Sequence, residues 1–284
     1  MFQNFAKCVL LVGAVLLPSD CAFGEKANRV AVRAEATKDY TLSRARDESA
    51  KVQTYHLIEG KRFGGNVADA SMDEISFTGI AEQLALSLRK QNYYSEEDPD
   101  AGDLLIMVHY GASNFVGDEN DAEVFDIAEY LPPVEKANGE VYDYELSKNA
   151  MPKFFGDVLP SERDYLREKY FRARLLGMDD VFASNTSSYE AFIQSELADE
   201  GRYFMILTAF DLPLLKSGEK KVLWTTRYSI RSIGQSYGDA IAALNDVASD
   251  YFGKNVKGLI SKRATDDSNV EAGPIEVIEE DKSR

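Results

Sequence analysis

Ser236 stands in Gly234-Gln-Ser-Tyr-Gly238, a G-x-S-x-G pentapeptide between a strand-like and a helix-like stretch. That is the setting in which a serine hydroxyl is presented as a nucleophile. The chemistry needs a general base, and in hydrolases with this elbow the histidine follows the serine in sequence. Both histidines, His56 and His109, precede it. The same five residues also read as a strand-ending glycine, a helix-capping serine and a glycine in the first turn. Ser87-Leu-Arg-Lys90 matches S-x-x-K, but the companion S-D-N and K-T-G motifs are missing, so exposed helix surface is the simpler reading. His56 and His109 could face each other across neighbouring strands as metal ligands. Two ligands leave a site that carboxylates would have to finish, and two half-buried histidines bonded to backbone or tyrosine are the ordinary alternative. The chain has no H-E-x-x-H, no G-x-x-x-x-G-K-[ST] and no G-x-G-x-x-G, so nucleotide and zinc-protease chemistry have no support. No catalytic, cofactor-binding or metal-ligating residue is assigned, and no cofactor is expected.

Acids set the chain apart. Across 284 residues, 48 Asp and Glu outweigh 32 Lys and Arg, for a formal charge of −16. Such a surface repels phosphate backbones and anionic lipid, which argues against nucleic acid as a partner. Between Ser95 and Glu145 there are 15 acids and one base, Lys136. Three readings compete for this segment: solvated loops, docking to a basic partner, and calcium binding. The basic run Arg163, Arg167, Lys169, Arg172, Arg174 is a candidate internal partner. Asp118–Asp126 lacks the central Gly and the spacing of an EF-hand loop, which excludes that particular calcium site. Tyr93, Tyr94, Tyr130, Tyr142 and Tyr144 crowd the same region; tyrosine suits interfaces and equally the rim of a small core. Paired carboxylates also keep one enzymatic alternative open, a hydrolase acting on envelope polysaccharide without His or Cys.

The first residues read as an address. Lys7 precedes the apolar run Cys8–Leu17, and Ala22 and Gly24 are the small residues of a cleavage site between Gly24 and Glu25. Residues 1–24 are therefore expected to be a secretory signal peptide, and the run is too short to span a bilayer as a permanent helix. Cys21 is a poor lipid-anchor candidate because Asp20 places a carboxylate before it. Cleavage after Gly24 removes both cysteines, which suits an oxidising compartment and excludes disulfides, thiol catalysis and cysteine-ligated metals.

The elements that would position these residues follow from periodicity. Residues 25–50 are polar and weakly periodic, a flexible lead-in. Val52–Ile58 reads as a strand; Ser71 and Glu74 read as a capping box opening a helix whose stripe is Phe77, Ile80, Ala81, Leu84 and Leu88. Leu104–Tyr110 is a buried strand, completing a βαβ unit with parallel or nearly adjacent strands. Residues 111–200 break the pattern with two helices, from Ser161 to Gly177 and from Ser187 to Gly201. Arg202–Asp211 and Val222–Ile230 form a hairpin. A closing helix capped by Ser236 carries Ile241, Leu244, Val247, Ala248, Tyr251 and Phe252 and stops at Gly253. Residues 264–284, with seven acids, two bases and no aromatic, are expected to be a disordered acidic tail.

This order, β-α-β, helical insertion, β-β-α, predicts an α+β fold: a two-layer mixed β-sheet with helices on one face. The domain spans 51–263, and its inserted acidic and helical lobe, 111–200, is either an elaboration on one edge or a small subdomain. The layout resembles bacterial envelope proteins of unknown function, a group with many lipoproteins. Asp100–Val108 matches their second strand, Leu223–Ser229 their hairpin, and the helix ending at Phe252-Gly253 their closing helix. The resemblance brings no catalytic residue with it. The expected function is a secreted or periplasmic, non-enzymatic protein that binds an unidentified protein partner or supports the envelope.

Overall fold

The computed structural model describes residues 29–45, 52–64, 69–113, 127–135, 141–142, 169, 171–178, 194 and 197–264. The strands are β1 (Arg29–Ala36), β2 (Gln53–Phe63), β3 (Tyr93–Ser95), β4 (Leu104–Ala112), β5 (Val134–Glu135), β6 (Val141–Tyr142), β7 (Arg202–Asp211), β8 (Val222–Arg231) and β9 (Ile260–Arg263). Among the described residues the helices include α1 (Lys38–Ala45), α2 (Ala70–Asp73), α3 (Phe77–Arg89), α4 (Leu212–Lys216) and α5 (Tyr237–Ala248), with short 3-10 turns at Ile127–Tyr130 and Ser249–Tyr251; residues 171–175 and 197–199 are helical as well. Seven strands make one mixed sheet in the order β3-β2-β4-β7-β8-β1-β9. β2 runs parallel to β3 and β4, and every other pairing in that sheet is antiparallel. The fold is α+β, as the element order predicts.

The βαβ unit and the hairpin form as read. Tyr55 to Val108 pairs β2 with β4 in parallel, and Arg202 to Arg231 pairs β7 with β8 in antiparallel. α3 and α5 lie together on one sheet face, where Ile80, Leu84, Leu88, Ile241, Leu244 and Ala248 meet Val30, Val32, Ile106, Val108, Leu207, Trp224 and Tyr228. Period-3.6 stripes on the helices and period-2 alternation on the strands supply these residues. Gly253 has φ +71°, a left-handed stop that a side chain would strain.

Two expectations need correction. The lead-in 25–50 is not loose where it is described: β1 is an interior strand between β8 and β9, and α1 follows it. Its Val30, Val32 and Ala34 are buried on the helix side, while Arg33 and Glu35 alternate onto the other face. Those charges disguise the strand, because they read as solvent-facing when they are paired inside. The capping box at Ser71 and Glu74 also dissolves. Asp69 caps the four-residue α2 by accepting from the Ser71 amide, and Ser76 caps α3 by accepting from Gly79. Glu74 is instead the last residue of α2's exit, so a second, separate start signal was needed at Ser76.

Ile127, Leu131, Ala173, Leu175, Leu176, Met178 and Ala198 pack with Phe63, Phe204 and Ile206 on the sheet's second face. They cover that face rather than extending an edge. Among the described residues, no helix is long and apolar enough to cross a membrane.

Candidate functional site

The parallel strands β2 and β4 end side by side, Phe63 opposite Gly111. The carboxyl ends of parallel strands are where open α/β sheets place ligands. α2 and the first residues of α3 and α5 gather there. The Tyr237 amide, first in α5, donates to Ser71 Oγ in α2 at 2.9 Å. Phe77, first in α3, stacks on Tyr110 of β4 with centroids 6.3 Å apart.

Three tyrosines occupy this corner. The Tyr237 ring lies 6.3 Å from Tyr110 and 5.1 Å, edge-on, from Tyr203 of β7. Tyr110 and Tyr203 are each 3% exposed and Tyr237 is fully buried. Tyr110 Oη donates to Glu59 Oε1 at 2.6 Å, and Tyr203 Oη donates to Asp69 Oδ2. The other Asp69 oxygen accepts from Ser71 Oγ at 2.7 Å and the Ser71 amide at 3.0 Å. Arg62 pairs with Asp73 at 2.5 Å on the solvent side, their side chains 42% and 70% exposed. Tyr237 Oη alone has no hydrogen-bond partner. Leaving a buried hydroxyl unanswered costs on the order of 1–3 kcal/mol, so such a group calls for an explanation.

The electrostatics keep all three phenols protonated at neutral pH. Burial, then the Glu59 hydrogen bond and charge, push Tyr110 up to about 12, against the pull of Arg62. Burial and the bond to Asp69 raise Tyr203. Burial and the neighbouring Tyr110 raise Tyr237 well above the usual range. Burial works to raise the Asp69 carboxyl, but hydrogen bonds from Tyr203 and Ser71 outweigh it and hold the group below its ordinary value. No activated nucleophile or poised base results. What the corner offers is lone pairs, aromatic faces and carboxylates, which are the means of binding rather than of proton transfer.

The second face is built differently. In β1 and β8, Arg33 stands opposite Arg227. Arg227 is fully buried and donates to Glu35 Oε2 at 2.7 Å and to the Arg174 carbonyl at 2.6 Å. Arg33 Nε is 3.5 Å from the other Glu35 oxygen. Arg202 is held by Ser229 Oγ and the Ser229 carbonyl at 3.0 Å each, and burial drives its guanidinium down to about 10. Nearby, Thr208 and Thr225 both donate to the Tyr130 carbonyl. These arginines brace strand to strand and to the insertion. Glu35 is the one buried carboxylate among the described residues, so no pair of buried acids emerges there to favour the polysaccharide hydrolase.

Most sequence candidates find structural employment. Ser236 caps α5: its Oγ accepts from the Asp239 amide at 3.2 Å and donates to Asp239 Oδ2 at 2.7 Å. Ser87 is buried in α3, while Lys90 pairs with Asp246 of α5 at 2.7 Å. The histidines do not meet. His56 is opposite Leu105, four positions from His109 along β4, or roughly 13 Å. His56 Nε2 donates to the Ala101 carbonyl at 2.9 Å, and buried His109 accepts the Lys61 amide on Nδ1 at 2.7 Å. Burial, then Lys61, lower His109 to about 4. Among the described residues, no group of three or more His, Cys, Asp or Glu is placed to hold a metal ion. Tyr93 is buried and bonds to Tyr40 at 2.8 Å, whereas Tyr94 is exposed. Gly24 and Glu25 of the cleavage site, Cys21, Asp118–Asp126, Arg163, Arg167, Tyr144 and the tail 265–284 lie outside the described residues.

Sequence reading missed Tyr110, Tyr203, Tyr237 and Asp69 as a group. Each carried a local signal. Tyr110 and Tyr203 sit at alternate, core-facing strand positions, and Tyr237 follows the helix cap directly. Only the sheet order brings them together.

No family model matches the chain, and no curated protein matches it. Among solved structures it is similar to the crystal structure of a PDZ domain protein from Parabacteroides distasonis, at a TM-score of 0.37 and 13% identity. That likeness covers 84% of this chain and 39% of the other, so the chain spans about two fifths of that protein's length. A TM-score this low assigns neither fold nor function.

Proposed function

We propose that this chain is an exported binding module, acting outside the cytoplasm by holding a protein partner at the cell envelope rather than by catalysis. The observation that carries the reading is the fully buried Tyr237 hydroxyl with no partner, set where two parallel strands end and two helices begin. A buried polar group left unanswered in a ring of aromatic rings and carboxylates suits a site completed by another molecule. The leader-like pattern of Met1–Gly24 and the thiol-free sequence after it support export. The surplus of acids favours a basic partner. Cross-linking in cells followed by purification should recover one protein repeatedly, and mass spectrometry should find Glu25 as the first residue. Recovery of no specific protein in replicate experiments would remove the binding reading; Met1 still attached to protein from a cytosolic fraction would remove export.

A further inference from the structure

We infer that the corner formed by Tyr110, Tyr203 and Tyr237 receives a primary ammonium group, carried by a small amine or by a lysine side chain of the partner. The inference rests on the binding reading above and deepens it. The Tyr110 and Tyr203 hydroxyls donate hydrogen bonds to Glu59 and Asp69. Each of those oxygens keeps lone pairs, and Tyr237 Oη, buried and without a partner, can accept as well. Acceptors thus outnumber donors. Glu59, Asp69 and Asp73 bring three negative charges against the single positive charge of Arg62, so the guest that completes the set is a cation that donates hydrogen bonds. An ammonium has three such donors and no acceptor. Glu59, Arg62 and Asp73 are the exposed members of the cluster. A guest there would take Asp73 as a partner in place of Arg62.

The test uses the full chain, titrated by calorimetry with n-butylammonium, with Nα-acetyl-lysine methylamide and with 1-butanol, while amide resonances of Ser71 and Tyr237 are followed by NMR. The native chain should bind butylammonium saturably and shift both amides. Tyr237→Phe and Glu59→Gln should each weaken binding at least tenfold, with circular dichroism confirming that both variants fold. If the lysine derivative binds too, a partner's side chain is the source; if only butylammonium binds, the source is a free amine. No saturable binding, equal affinity in a folded Tyr237→Phe variant, or equal affinity for 1-butanol would each overturn the inference. A silent titration would leave partner capture by cross-linking intact, so the two readings fail separately.

Discussion

Acidification to pH 5 should destabilise this protein through one histidine. His109 is 2% exposed, its Nδ1 accepts the Lys61 amide, and burial together with Lys61 lowers it from 6.5 to about 4. Protonation would set an N–H against an N–H donor inside the sheet, so the folded state resists the charge. In the unfolded chain the same ring takes up a proton near pH 6.5. The unfolded state therefore binds more protons throughout the window between 6.5 and 4, and stability falls as pH falls through it. The lowered value corresponds to about 3 kcal/mol when the window has been crossed, of which about 2 kcal/mol is lost by pH 5. Urea unfolding of the native chain and of His109→Gln at pH 7, 6 and 5 measures this directly. Glutamine keeps an acceptor for Lys61 without titrating. Carboxylates contribute equally to both proteins, so the difference in pH slope isolates the ring. Equal slopes would show that His109 charges as readily folded as unfolded, and the account of its burial would be wrong.

Tyr237→Phe, without added ligand, should leave stability unchanged or raise it by about 1 kcal/mol, because a buried hydroxyl without a partner is removed; Tyr203→Phe should lower it by about 1 kcal/mol through the lost bond to Asp69, both read by urea melts. Arg227→Met should cost about 3 kcal/mol by stranding Glu35 in the sheet, with Arg33 still beside it. Adding Glu35→Leu should restore most of that loss in thermal denaturation. Gly60→Ala places a Cβ 2.5 Å from His109 Nδ1 and should cost roughly 1–3 kcal/mol, measured the same way. Ser236→Ala should cost only about 1 kcal/mol, the value of a helix cap; loss of a hydrolytic activity in a folded variant would reinstate Ser236 as a nucleophile.

What could be read in advance follows from the range of the forces involved. α3, α5 and the β7–β8 hairpin were legible because their signals are local: a stripe, a cap, a turn. β1 was hidden because Arg33 and Glu35 are charged and yet internal, and Glu35's partner Arg227 lies far away in sequence. Composition weighs them as solvent-facing, and only the register of β1 against β8 reverses that judgement. The cap of α2 slipped to Asp69 for a related reason. Its carboxylate is also held by Tyr203, 134 residues on, so local spacing could not favour it over Ser71. The tyrosine corner was illegible on the same grounds, since β2, β4, β7 and α5 each bring one or two of its members.

The charges buried in the sheet bear on what the outside presents. Arg202, Arg227 and Arg174 are at most 7% exposed, against one buried acid, Glu35, among the described residues. Cations withdrawn from the surface no longer offset the acids that remain there, so the surface of the described residues is more negative than their formal charge alone suggests. Interior arginine is held by backbone carbonyls and Ser229 as much as by carboxylate, which lets the fold bury it without an equal number of buried acids. That asymmetry strengthens the case for a basic partner beyond what composition alone implies. Attraction from such a surface should be felt in the association rate and should weaken as salt shortens its reach. Binding of the captured partner that is unaffected between 50 mM and 500 mM salt would show that the acids serve solubility and take no part in recognition.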